Sequence, residues 1–184
     1  HFFFFFDSVQ SFLADFKSRH SAESVIAEIF FFLDAKILVI GDTIIDEYHY
    51  CKPLGKSSKS PTISSVYLRG ESYAGGVLAI ANHLAQFAGK VEMMTCLGEE
   101  NTQQELIEQK LSPSVDRKFF YRKNAPTPTK RRYLDKYLNI KLFEVTFMND
   151  SYIEKELEEQ MITYLKSVLA NYDMVMIADF GHGL

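Results

Sequence analysis

The chain is poor in the features that mark several large functional classes. It has two cysteines in 184 residues, Cys51 and Cys96. They stand far apart, with neither CxxC nor Cys/His spacing, which argues against a zinc ribbon or a redox pair and reads as a reduced, cytoplasmic chain. Positive charge is not in excess. Lys and Arg number 20 against 24 Asp and Glu, a formal net charge of −4, the wrong balance for a nucleic-acid surface. Only Lys130-Arg131-Arg132 is locally basic, and so short a cluster suits a small anion better than a duplex. No apolar run approaches the roughly 18 residues of a membrane span. The run Phe2 to Phe6 is short and lacks the basic flank of a signal peptide. There is no GxxxxGK[ST] loop, no GxGxxG fingerprint and no GxSxG elbow, so nucleotide binding or acyl transfer by those devices is excluded.

What is present is a globular composition, 47% hydrophobic, enough for one domain of ordinary size. The first residue is His and the last four follow an apolar strand pattern, so both ends read as cut from something larger. Val9, Phe12, Leu13 and Phe16, then Val25, Ile26 and Ile29, have helical spacing with a break at 18–21. Two short helices are expected, with Ser21 as a start signal, and residues 1–34 read as a linker or docking arm. Lys36 to Ile40 is a continuous apolar run ending in Gly41, the pattern of a strand covered on both faces of a parallel sheet. Asp173 to Ala178 repeats it and ends at Asp179. Between them the spacing predicts a buried helix over 76–87, a strand over 91–97, and amphipathic helices over 101–110 and 152–169. This alternation means an α/β fold with a mostly parallel sheet. Two further segments, about 48–68 and 118–147, read as short strands of an antiparallel lid, with Pro53, Pro61, Pro126 and Pro128 at edges and turns.

Four places could carry chemistry. Asp42 and Asp46 follow the first strand, and ligands of open α/β sheets sit beyond the carboxyl ends of strands. A carboxylate pair there could grip neighbouring hydroxyls, hold a hard cation, or simply cap a turn and be solvated. Gly75 and Gly76 open a helix, where glycine permits close approach of a ligand or of neighbouring backbone; Asn82 on that helix could serve a hydroxyl or a core contact. Lys130 and Arg132 share one face of a strand and Arg131 the other, either as an anion site or as a solvated edge. Asp179 in ADFGHGL stands at a strand end. The DFG there is not that of protein kinases, whose HRD loop, glycine-rich loop and VAIK lysine are missing.

Taken in order, KILVIGDTIIDEYHY, the AGG helix, CLGEEN, PTPTKRR and MVMIADFGHGL resemble the ribokinase-type (PfkB) carbohydrate kinase family, most closely its heptose-phosphate kinase branch, which is often fused to a nucleotidyltransferase domain. The resemblance covers residues 35–184. It implies a ribokinase-like central sheet with flanking helices and a small β lid that often also forms a homodimer. It implies transfer of phosphate from ATP, with Mg2+, to a sugar or sugar phosphate. Asp46 would bind substrate hydroxyls with Asp42 nearby; Gly75 and Gly76 would let the sugar approach; Lys130 and Arg132 would face it from the lid; Asp179 would lie near the site's floor. The family's catalytic base, in a GAGD motif, falls in the carboxyl half, beyond Leu184, so this stretch alone is expected to be inactive. Two other readings remain open: a non-catalytic sugar-binding or dimerisation module, and a metal-dependent acidic-pair α/β domain.

Overall fold

The structure, a computed structural model, describes residues 6–183. It opens with helices α1 (Asp7–Arg19) and α2 (Ala22–Asp34). The break between them follows from a side-chain cap: Ser21 Oγ accepts from the Ser24 N–H at 3.1 Å, satisfying a donor that the helix cannot. Phe32 of α2 packs against the core, while Phe12, Ile29 and Phe30 stay exposed. The phenylalanine run lies outside the described residues up to Phe5.

The core is a parallel sheet of β1 (Lys36–Gly41), β4 (Lys90–Glu100), β5 (Val115–Pro126) and β8 (Met174–Ala178), in the order β5-β4-β1-β8. Alternation divides the apolar run of β1 between two layers. Ile37 and Val39 face α3 (Val77–Leu84) and α4 (Gln104–Lys110) through Val77, Leu78, Ala81 and Ile107. Leu38 and Ile40 face α5 (Lys155–Val168) through Leu157 and Met161. The expected strand at 173–178 is present, but Val175 and Ile177 are exposed, Ile177 at 73%. β8 therefore covers one face only, where a strand buried on both faces was expected.

The lid is a second sheet, with β2 (Thr43–Lys56), β3 (Ile63–Gly76), β6 (Thr129–Asp135) and β7 (Lys141–Phe147) in the order β3-β2-β6-β7. Its boundaries differ from the expectation in two ways. β2 begins at Thr43, so Asp46 lies within a lid strand instead of at the mouth of a core strand. Residues 118–126 belong to β5, parallel to β4 in the core sheet, and are no part of the lid. The lid is also mixed: β2 is antiparallel to β3 but parallel to β6. Pro53 sits where β2 has passed the end of β6 and pairs with β3 alone, at a register shift, as a residue without an N–H requires. The β6–β7 turn is set by Asp135, whose Oδ1 accepts from the N–H groups of Tyr137 and Leu138 at 2.7 and 3.1 Å.

One polar cluster ties α5 to the sheet. Glu92 of β4 accepts from the hydroxyls of Tyr164 and Tyr172, and the Lys118 ammonium lies 5.0 Å from the Tyr164 ring centroid. Burial, then the bond to Glu92, pushes the Tyr164 hydroxyl up to about 12, and Tyr172 is raised for the same reasons. A tyrosine whose folded value is raised keeps its proton while the unfolded chain loses its own, so its contribution is complete below the ordinary value and is lost as pH rises from there through the folded value. Unfolding free energy, measured by urea titration, is expected to fall as pH rises from 10.0 towards about 12, and Tyr164→Phe should flatten part of that fall.

Candidate functional site

The lid is rooted where β2 leaves the core and β3 returns to it. Thr43 pairs with Gly76, Ile44 with Gly75, and Asp46 with Tyr73. The Val77 N–H donates to Asp42 O at 2.9 Å, so the first turn of α3 is anchored on the residue just before the lid strand β2. Gly76 has φ +57, a conformation that side chains disfavour, and a Cβ on it would overlap Asp42 O. A Cβ on Gly75 would overlap Asp46 Oδ2. The paired glycines thus serve two different contacts, one with backbone and one with the Asp46 carboxylate.

Because directly paired residues share a face, Asp46, Tyr48, Lys130, Arg132, Tyr73, Glu71 and Glu144 lie on one side of the lid. Arg132 Nη1 pairs with Asp46, and its Nε lies 2.7 Å from Glu144 Oε2. Both strand partners of β6 therefore hold one guanidinium. Among the described residues Lys130 has no carboxylate partner. Beside Asp46 is an open recess of about 290 Å³ lined by Tyr48, Tyr50 and Tyr73 as well. Tyr50 and Tyr73 both donate to Glu71 Oε2, at 3.1 and 2.9 Å, and the Arg69 guanidinium beside Glu71 holds its carboxyl below the usual range. The recess can offer a hydroxylated ligand a carboxylate acceptor, cationic donors and aromatic faces.

The expected residues do not all meet there. Asp46, Gly75, Gly76, Lys130 and Arg132 converge on the lid root. Asp42 is turned elsewhere: its Oδ2 accepts from the Phe180 and His182 N–H groups at 2.8 and 3.4 Å, organising the loop after β8. Asp42 and Asp46 are therefore not a jointly acting pair. Asp179 is exposed and its Oδ1 accepts from the Gly181 N–H at 2.7 Å, within its own turn. Asn82 spends both ends of its amide on backbone, donating to Lys110 O at 2.9 Å and accepting from the Ser112 N–H at 2.7 Å. It stitches α3 to the connection between α4 and β5, the core-contact alternative for this residue. Sequence reasoning missed Tyr48, Tyr50, Glu71, Tyr73 and Glu144. The period-2 alternation of Asp46, Tyr48 and Tyr50 could have shown the first two.

No protein-family model matches the chain. By sequence it is 27% identical over 154 residues to the Bifunctional protein HldE of Haemophilus influenzae (strain PittEE), covering 83% of this chain and 31% of that protein. It is 26% identical over 153 residues to the Bifunctional protein HldE of Shewanella sp. (strain ANA-3), with the same coverage of 83% and 31%. The chain thus spans about a third of the length of these curated relatives. Among solved structures it superimposes on a carbohydrate kinase from Agrobacterium tumefaciens with TM-score 0.54 and 15% identity, over 78% of this chain and 45% of that one. A ribokinase from Giardia lamblia gives TM-score 0.54 and 19% identity over 78% and 44%. The Arabidopsis thaliana ribokinase complexed with ribose and ATP gives TM-score 0.50 and 18% identity over 78% and 45%. The fold is that of ribokinase-type sugar kinases.

Gly75→Ala requires the Asp46 carboxylate to shift and so loosens its pair with Arg132. The expected cost is about 1–3 kcal/mol, the penalty of a part-buried charge losing its partner, measured by urea unfolding. Restoring space with Gly75→Ala/Asp46→Ser should return part of it.

Proposed function

We propose that this chain is the substrate-binding part of an ATP-dependent carbohydrate kinase acting on a sugar or sugar phosphate, with the phosphoryl transfer completed by the rest of a longer protein. The observation that carries the reading is the Asp46 carboxylate, fixed against Gly75 and Arg132 at the root of a lid above the carboxyl ends of a parallel sheet. A carboxylate held in this way accepts hydrogen bonds from two or more hydroxyls without first having to be oriented. Lys130, on the same face and without a carboxylate partner among the described residues, is suited to a substrate phosphate. The ribokinase fold and the likeness to HldE at 27% identity support the class. The likeness covers only part of those proteins, and the whole protein's substrate is accordingly a proposal drawn from the heptose-phosphate kinase resemblance.

On this reading ATP and Mg2+ act in the complete protein, and no step through nucleotide or metal is assigned to this chain. Its own contribution is to grip the sugar through Asp46, to orient it with Arg132 and the tyrosines, and to exclude water with the lid.

The opposite face of the lid carries Tyr67, Phe143, Val145 and Phe147, all more than a third exposed. A cluster of that kind suits a homodimer interface. Free thiols at Cys51 and Cys96 fit a cytoplasmic setting, and no helix among the described residues is long and apolar enough to cross a membrane.

Two measurements test the proposal. In calorimetry against five-, six- and seven-carbon sugars and their terminal phosphates, at least one should bind, and Asp46→Ala should weaken it about a hundredfold, the loss of two charge-assisted hydrogen bonds. Failure of every sugar to bind, or equal affinity in the variant, defeats it. Sedimentation should give a dimer mass that Phe143→Asp converts to monomer; a wild-type monomer at all concentrations removes the interface.

A further inference from the structure

A second recess, half-enclosed and of about 30 Å³, lies at the carboxyl ends of β1, β4 and β5, lined by Asp42, Cys96, Gly98, Arg122, Asn149 and His182 among others. In order of chain visits the core sheet reads third, second, first, fourth. Its direction therefore reverses at β1 and β8, where a crevice opens beyond the strand ends. The recess sits beside that crevice, and Asp42 joins it to the lid root.

Among the described residues, three polar atoms there are shut from solvent without a hydrogen-bond partner: both ring nitrogens of His182 and Nε of Arg122. Arg122 is only 6% exposed. Its terminal nitrogens are spent on Asn149 O at 3.1 Å and Tyr152 O at 2.8 Å, while Glu154 lies 3.5 Å from Nε. His182 rides on a loop between Gly181 and Gly183, at φ 73 and 91. That loop is fixed from two sides, by Asp42 Oδ2 accepting from the His182 N–H and by Gly183 O accepting from the Ile153 N–H at 3.0 Å. The ring is therefore held in place by backbone contacts while its own hydrogen-bonding groups are unused. Buried polar groups are ordinarily satisfied, by protein, water or ligand, and these three are placed to meet a group entering the recess.

The chemistry of the lining selects the occupant. Asp42 and Arg122 offset each other in charge, and a neutral imidazole both donates and accepts. A phosphate would be set beside the Asp42 carboxylate; an uncharged hydroxyl meets no such repulsion. The volume admits one or two water-sized groups. Burial pushes the Cys96 thiol up to about 12, so this wall of the recess stays neutral.

We propose that the recess receives one hydroxyl or hydroxymethyl group of the carbohydrate, and that His182 is the side chain that hydrogen-bonds it. This rests on the carbohydrate reading of the crevice and adds to it which end of the sugar enters: the uncharged end, with any phosphate on the lid side near Lys130.

The test uses this chain labelled with 15N-histidine and titrated with ribose, mannose and mannose 6-phosphate. The sugar that binds should fix one tautomer of the His182 ring and shift its nitrogen resonances. His182→Phe should weaken that sugar about tenfold, one hydrogen bond's worth, with His182→Asn in its place if the phenylalanine variant fails to fold. A deoxy analogue lacking the inserted hydroxyl should bind wild type and variant alike. If a sugar binds in an Asp46-dependent way but leaves the ring unshifted and the His182 variants unaffected, the recess holds water alone; the proposal is then overturned while the carbohydrate reading stands. If no sugar binds, both fall.

Discussion

The contact on which the rest depends is the approach of the Asp46 carboxylate to the backbone at Gly75. The strand pair β2–β3 leaves the core and rejoins it through the paired residues Thr43 and Gly76, and the charged group sits three pairs above that base. A part-buried carboxylate needs a partner. Here the partner comes from β6, a strand that the chain reaches only after building β4, α4 and β5. The lid is thus assembled by two separate visits of the chain, and the Asp46–Arg132 pair is where they meet. Glycine at 75 is the condition for that meeting, since any side chain would stand where the carboxylate is.

Charge is distributed evenly over this face. Arg132 lies between Asp46 and Glu144, Arg69 pairs with Glu71, and Lys130 adds a cation beside them. The strand-end recess repeats the balance with Asp42 and Arg122. Surfaces made in this way hold polar, mostly uncharged ligands through many directed hydrogen bonds instead of drawing an ion by field strength. The proposed ligand, a polyol with at most one anionic end, is consistent with that balance in both regions.

How much of this could be read from sequence depended on whether the deciding contact was local. The apolar run of β1, the helical spacing of α3 and α5 and the Ser21 cap are set by neighbours in the chain, and each was legible. The placement of 118–126 was not: KFFYRKNAP alternates as an edge strand of either sheet would, and its parallel pairing with β4 is a contact that no local pattern encodes. β2 was shortened for a related reason, because DEYHYCKP is polar and aromatic on both faces and lacks the apolar alternation of a half-buried strand. Within the site, Gly-Gly before a helix was ambiguous by itself and became specific only when Asp46 was found against Gly75. For Asn82 and Asp42 the residue type was compatible with ligand or backbone partners, and only the loops at 112 and 180–182 decided between them.

The root of the lid is fastened to the core by a set of hydrogen bonds. Thr127 Oγ1 accepts from the Gly98 N–H at 3.0 Å and donates to Thr102 O at 2.8 Å. One residue later Pro128 O accepts from the Ile45 N–H at 2.8 Å. The connection from β5 to β6 is thereby fastened to the end of β4 on one side and to β2 on the other. Gly98 allows this because a Cβ there would overlap the backbone at 125–127. Beneath it, Thr95 donates to Gly41 O at 2.7 Å and shares a 2.9 Å hydrogen bond with Thr43. With both chain visits clamped at the base, the regular pairing of β2 with β3 runs past Asp46 and is first broken at the register shifts after Tyr50 and Pro53. On the proposed reading, the carboxylate that would hold the ligand therefore lies on the fastened part of the lid, close to the core.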